Sequence, residues 1–161
     1  MIPYEHADRL RAIVTTYFAF LQEAGFEVAE SGYDAAGLTG RMLLRRPDVV
    51  LEASLHNDDL DFFVAPAVPN PTFVKLNPLV LYLTRARVNY AEFMRRQVSA
   101  EPEPSQDQIW RDSAADMAEH LDRILAFAKA DGYEERLADR ERYEAEVAAD
   151  VDRQIAEYEQ S

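Results

Sequence analysis

Apolar residues recur at three- and four-residue steps near the start of the chain. Leu10, Ile13, Val14, Tyr17, Phe18, Leu21 and Ala24 paint one wide stripe, the pattern of an amphipathic helix. Gly25 follows where a helix end favours a positive φ, and Phe26 is placed to fold back on the last turn. Beyond Gly25 the period changes to two. Phe26 to Glu30 alternates, and a stretch rich in turn formers, Ser31 to Gly37, separates it from the next strand. Leu38, Gly40, Met42 and Leu44 then face one way, and Thr39, Arg41 and Arg45 the other. Val49, Leu51, Ala53 and Leu55 repeat the alternation, as do Leu60, Phe62 and Val64. Arg46-Pro47-Asp48 and His56-Asn57-Asp58-Asp59 are turn chemistry between these runs. The economical topology is an antiparallel meander of four strands with the first helix on its apolar face. Across the first hairpin Arg41 falls near Glu52 or Ser54, with the register left open because Pro47 cannot supply a positive φ.

Four prolines, Pro66, Pro69, Pro71 and Pro78, forbid a further central strand and mark a rigid exit from the sheet. Asn77 and Pro78 suit the N-cap and first position of a short helix through Leu79, Leu83 and Ala86, and a second helical stretch runs from Asn89 to Val98. Residues 99–104 read as a Pro/Glu linker, after which Ser105 caps a fourth helix. Trp110, Ala114, Met117, Leu121, Ile124 and Ala128 form a narrow seam on it, ending at Asp131-Gly132. Tyr133 to Gln160 is helical with a thin stripe: Leu137, Tyr143, Val147, Val151, Ile155 and Tyr158. So narrow a stripe implies packing along the fourth helix or against another chain. The expected class is α+β: an N-terminal helix on a four-stranded antiparallel meander, followed by acidic C-terminal helices forming a helical hairpin. Residues 1–98 make the α+β core, and 105–161 the hairpin packed on it as part of one domain.

Charge changes the picture. Residues 100–161 hold 18 Asp and Glu against 7 Arg and Lys, whereas residues 1–99 hold 12 against 10, so the helical end carries most of the net −13. Such a surface repels phosphate backbones and anionic lipid and attracts basic protein. A basic protein partner is therefore expected, and neither nucleic acid nor membrane is. Arg41, Arg45 and Arg46, and Arg85, Arg87, Arg95 and Arg96 with Tyr90 and Phe93 interleaved, most simply latch onto the acidic tail within the chain. No apolar run approaches the ~18 residues of a membrane span. The first residues, Met1 to His6, lack a basic segment followed by an apolar one, so a cytoplasmic home is expected. The absence of cysteine excludes disulfides, thiolate catalysis and thiolate metal sites.

Candidate chemistry is sparse. The chain has no Gly-x-Ser-x-Gly, P-loop, dinucleotide fingerprint or His-Glu-x-x-His, and its three histidines, His6, His56 and His120, sit in polar contexts. His56, Asp58, Asp59 and Asp61 are the cluster with ligands for a hard cation, or carboxylates for a metal-assisted hydrolase. The calcium-loop Gly and distal Glu are missing, so a turn is the simpler reading. On the fourth helix Asp112, Asp116, Glu119 and His120 fall within a few turns, Asp116 meeting His120 at i, i+4. The paired Glu-x-x-His of carboxylate-bridged bundles is not reproduced, and a solvated charged face is the simpler reading there too. Trp110 has the phase of the core seam, and its indole also suits a partner anchor. No cofactor is expected. The residues expected to meet a partner are Trp110, Asp112, Asp116, Glu119, Glu141, Glu144, Asp150 and Tyr158.

The helix ending Phe20 to Val28, the sheet centred on Asp48 to Ala53 and the acidic helices behind them resemble small bacterial α+β proteins of the immunity type found with polymorphic toxins. In size and acidity the chain also resembles secretion chaperones built on a helix and a meander. The resemblance covers about the first 65 residues and implies a non-catalytic protein that binds and blocks, or shelters, one partner. It carries no functional residue with it. The rival expectations are a structural homodimer pairing its last helices between chains and the metal-assisted hydrolase.

Overall fold

The computed structural model describes residues 3–33, 39–99 and 102–161. The side chain of His6, Leu38 on its strand, and Ala100 and Glu101 of the linker lie outside the described residues. Helix α1 (Pro3–Tyr17) breaks at Phe18 and resumes as the single turn α2 (Phe20–Glu23). The Phe26 N–H donates to Leu21 O and the Gly25 N–H to Gln22 O, both at 3.0 Å, closing the helix with Gly25 at φ 96°. A side chain there would resist that left-handed backbone, which is why the sequence places glycine at this turn.

Five strands follow: β1 (Glu27–Tyr33), β2 (Thr39–Arg45), β3 (Val49–His56), β4 (Asp59–Pro66) and the two-residue β5 (Val74–Lys75), antiparallel throughout in the order β1-β2-β3-β4-β5. The meander is therefore the expected four strands plus a short edge that the prolines do not prevent. Strand β1 also runs on through Ser31 to Tyr33, which the sequence reads as loop. Pairing Gly32 with Arg41 and Ser31 with Met42, after a bulge between Val28 and Glu30, accounts for the extension. In the β2–β3 hairpin Leu43 faces Glu52 and Arg41 faces Ser54. Arg41 Nε reaches diagonally to Glu52 Oε1 at 2.8 Å.

Met42, Leu44, Leu51, Ala53, Leu55, Phe62 and Val64 cover one sheet face, and Leu10, Ile13, Val14, Phe18 and Leu21 close on it from the helix. Each fully buried Leu, Ile, Val, Phe or Met of this layer contributes on the order of 1.5–3 kcal/mol. Helix α3 (Leu76–Leu83) lies over β4, beginning before Asn77. Pro78 thus sits inside the first turn, where the amides have no intrahelical acceptor and the missing N–H matters little. Helix α4 (Tyr90–Val98) is separate, with Asn89 accepting from the Glu92 N–H at 3.0 Å. Helix α5 (Gln106–Phe127), capped by Ser105, buries Ala114, Met117 and Ile124 against α3 and α1. Helix α6 (Tyr133–Glu159) follows after a short turn. It leans chiefly on α3 and α4 instead of running along α5. Its stripe thins as expected: Leu137 and Tyr143 are buried, Val147, Val151 and Ile155 half-buried, and Tyr158 exposed. No described helix is long and apolar enough to cross a membrane.

A candidate acidic groove and face for a partner

The left-handed Asn57 (φ 55°) turns β3 into β4 and pushes Asp58 toward the helices. Arg9 of α1 takes it at 2.5 Å and donates also to the Asn57 carbonyl at 3.3 Å. From α5, Gln106 donates to the Asp58 carbonyl at 3.3 Å. The same Arg9 guanidinium lies 5.4 Å from the centre of the Trp110 ring, and Tyr17 packs on that ring at 5.7 Å. Trp110 is therefore a half-buried bracket between α1 and α5, consistent with its seam phase. Asp107 is held below the usual carboxylate range, first by Arg111 and then by the Tyr17 hydroxyl.

These fastenings leave a groove of about 390 Å³ between sheet and helix. Asp58, Asp59 and Asp61 line it from the sheet, Ile109, Trp110 and Ser113 from α5, and Lys75 and Asn77 line it as well. Lys75 meets Asp61 at 3.4 Å, while the Asp59 carboxylate has no ion pair or hydrogen bond among the described residues. Ile109, 43% exposed, opens a stripe along α5 that continues through Asp112, Asp116 and Glu119, a spacing that keeps all four on one shoulder. Asp112 accepts from Gln108 at 2.7 Å. The His120 Nε2 stands 3.7 Å from Asp116 and 3.9 Å from Glu119.

The cluster His56, Asp58, Asp59 and Asp61 does not converge on a common point. Asp58 is turned to Arg9 and Asp61 to Lys75, and His56 Nδ1 lies 3.2 Å from Thr39 Oγ1. Among the described residues the ligand atoms that do gather are those of Asp116, Glu119 and His120, within 4.8 Å of one another.

On α6 the carboxylates divide into two sets. Asp139 meets Arg85 and Arg142, Glu144 meets Arg140, Glu146 meets Arg87, and Asp150 and Glu157 share Arg153. The Tyr82 hydroxyl, Arg85 and Arg142 together hold Asp139 below its ordinary range. Glu141 has no such partner among the described residues, nor do Glu134, Glu135 and Asp152 on the same helix. Tyr158 stands edge-on to Tyr90 at 5.5 Å. Of the residues expected to meet a partner, Asp112, Asp116 and Glu119 therefore share one shoulder beside the groove. Glu141 stands alone, Glu144 and Asp150 are tied to arginines of their own helix, and Trp110 and Tyr158 have aromatic neighbours within the chain.

The sequence reading missed the opposing wall. Nothing local in Asp58 to Asp61 announces that a helix nearly fifty residues later will face it, and no signal short of the tertiary fold supplies that pairing. Comparison with known proteins finds no family model that matches the chain, and no curated protein or solved structure that matches it significantly.

Proposed function

We propose that this chain is a non-catalytic protein-binding module, an inhibitor or chaperone of immunity type, that takes a basic protein partner. The observation that carries the proposal is the division of carboxylates. Several basic residues of the core are engaged within the chain, Arg85 and Arg87 with α6, Lys75 with Asp61, Arg41 with Glu52 and Arg46 with Asp48. They leave Asp59 and the α5 shoulder without an Arg or Lys partner. The groove beside them supplies what a lysine or arginine side chain needs, carboxylates for its head and Ile109 and Trp110 for its stem. Exposed charge of this kind acts through steering and partner choice more than through raw affinity. The test is co-purification at low salt followed by measurement of the affinity of the captured partner across ionic strength. A basic partner whose affinity falls steeply with salt supports the reading; a salt-insensitive partner, or none, removes it.

A second reading, a homodimer, draws on a different surface. Leu81, Val88, Phe93, Val98 and Tyr158 are 39–83% exposed around α4 and the end of α6, where a second copy would cover them. Sedimentation that finds only monomer at micromolar concentration removes this reading.

A further inference from the structure

Asp116, Glu119 and His120 occupy positions i, i+3 and i+4 of α5, which brings their side chains to one place on the helix surface. Two carboxylates alone would be hydrated surface; the imidazole changes the chemistry. Its side chain is only 15% exposed, and its Nε2 is turned toward both acids, at 3.7 and 3.9 Å. Ligand atoms around a zinc ion at about 2.1 Å stand roughly 3.4 Å apart in a tetrahedral set. The present spacing therefore closes on one ion by small rotations of Asp116 and Glu119, whose side chains are 56% and 73% exposed, while His120 stays in place. The backbone beneath them is pinned by buried Ala114, Met117 and Ile124. Among the described residues neither acid has an Arg or Lys within ion-pair distance, so no internal cation competes for them. One imidazole and two carboxylates suit a borderline ion such as Zn²⁺ better than Mg²⁺ or Ca²⁺, which prefer oxygen ligands throughout.

We propose that Asp116, Glu119 and His120 form a single divalent transition-metal site of the zinc class on the shoulder of α5, its remaining coordination positions open to solvent. The site draws on two carboxylates of the shoulder assigned to the basic partner, so zinc and partner compete for Asp116 and Glu119; the zinc titration is made without any partner, and its failure leaves the basic-partner reading standing.

The experiment titrates zinc chloride into the metal-free full chain by calorimetry, with thermal unfolding followed in parallel in zinc and in magnesium. One saturable equivalent is expected, with a rise in Tm that magnesium at the same concentration does not give. His120→Gln and Glu119→Gln should each weaken zinc binding by roughly tenfold or more, since loss even of a group behind a ligand has that effect. His56→Gln should leave it unchanged. Because Glu119 is well exposed, its variant keeps the test decisive even if the His120 variant folds poorly. Absence of saturable binding, or wild-type affinity in the Glu119 variant, overturns the proposal.

Discussion

Arg85 stacks its guanidinium 4.5 Å from the centre of the Tyr82 ring and reaches Asp139 at 3.2 Å, fastening the end of α3 to α6. It does so from a left-handed backbone, φ 53°, because it stands where glycine normally closes a helix: its N–H donates to Tyr82 O and that of Ala86 to Leu81 O. Tyr143 completes the joint by donating its hydroxyl to the Ala86 carbonyl.

The backbone and the side chain of Arg85 thus pull in opposite directions. Arg85→Ala keeps the strained φ and loses the fastening, whereas Arg85→Gly loses the fastening and relieves the backbone. The alanine variant should melt below the glycine variant in thermal unfolding followed by circular dichroism. If both melt at the wild-type temperature, the fastening contributes nothing to stability.

Tyr133 is buried and donates its hydroxyl to the Thr72 carbonyl at 2.5 Å, and burial pushes its pKa up to about 12. The unfolded chain releases this proton near pH 10, whereas the folded chain holds it until about 12. The contribution is therefore complete below pH 10 and is lost as pH rises from 10 to 12, on the order of 2–3 kcal/mol in all. Urea denaturation across this range should show a shallower alkaline decline in Tyr133→Phe than in wild type. Equal slopes would place the alkaline loss on other groups.

Gly132 opens α6 at φ 75°, and a Cβ there would stand 2.9 Å from Arg136 Nη1. That guanidinium donates to the carbonyls of Phe127 at 2.8 Å and Asp131 at 2.9 Å, and to Lys129, satisfying one acceptor at the end of α5 and two in the turn beyond it. Gly132→Ala should cost on the order of 1–2 kcal/mol from the backbone alone. Displacement of Arg136 would add to this, so Gly132→Ala and Arg136→Ala combined should be less than additive. Full additivity in denaturant titrations would show that the two positions act separately.

What was legible in the sequence follows from how local its cause is. The alternation of Met42 and Leu44, or of Leu51, Ala53 and Leu55, is dictated by one buried face and reads directly. The Ser105 cap and the Gly25 ending each depend on a few neighbouring residues. Asn77-Pro78 places the helix start two residues late because Pro is tolerated at any of the first positions whose N–H lacks an acceptor. The Arg85 joint was half legible: opposite charges suggest a latch to the acidic tail, which Arg85 and Arg87 make, whereas Arg41 pairs instead with Glu52, Arg46 with Asp48 and Arg96 with Glu92, and nothing local marks Arg85 as the residue in the glycine position. The groove was hidden, since its walls come from Asp58 to Asp61 and from α5, which only the closed core brings face to face. The split of α6 into engaged and free carboxylates depends on helical phase and on which arginines lie beneath it.

The central claim is that the carboxylates without a cation of their own chain are the ones that meet a partner. It is tested most directly by comparing two neutralised proteins for affinity to the captured basic partner at low salt. One carries Asp59→Asn, Asp112→Asn and Glu141→Gln; the other carries Glu144→Gln, Asp150→Asn and Glu157→Gln, removing the same formal charge from residues already engaged. The account predicts a large loss of affinity and a shallower salt dependence in the first and near wild-type binding in the second. Equal loss in both would reduce the effect to net charge, and wild-type binding in the first would contradict the claim.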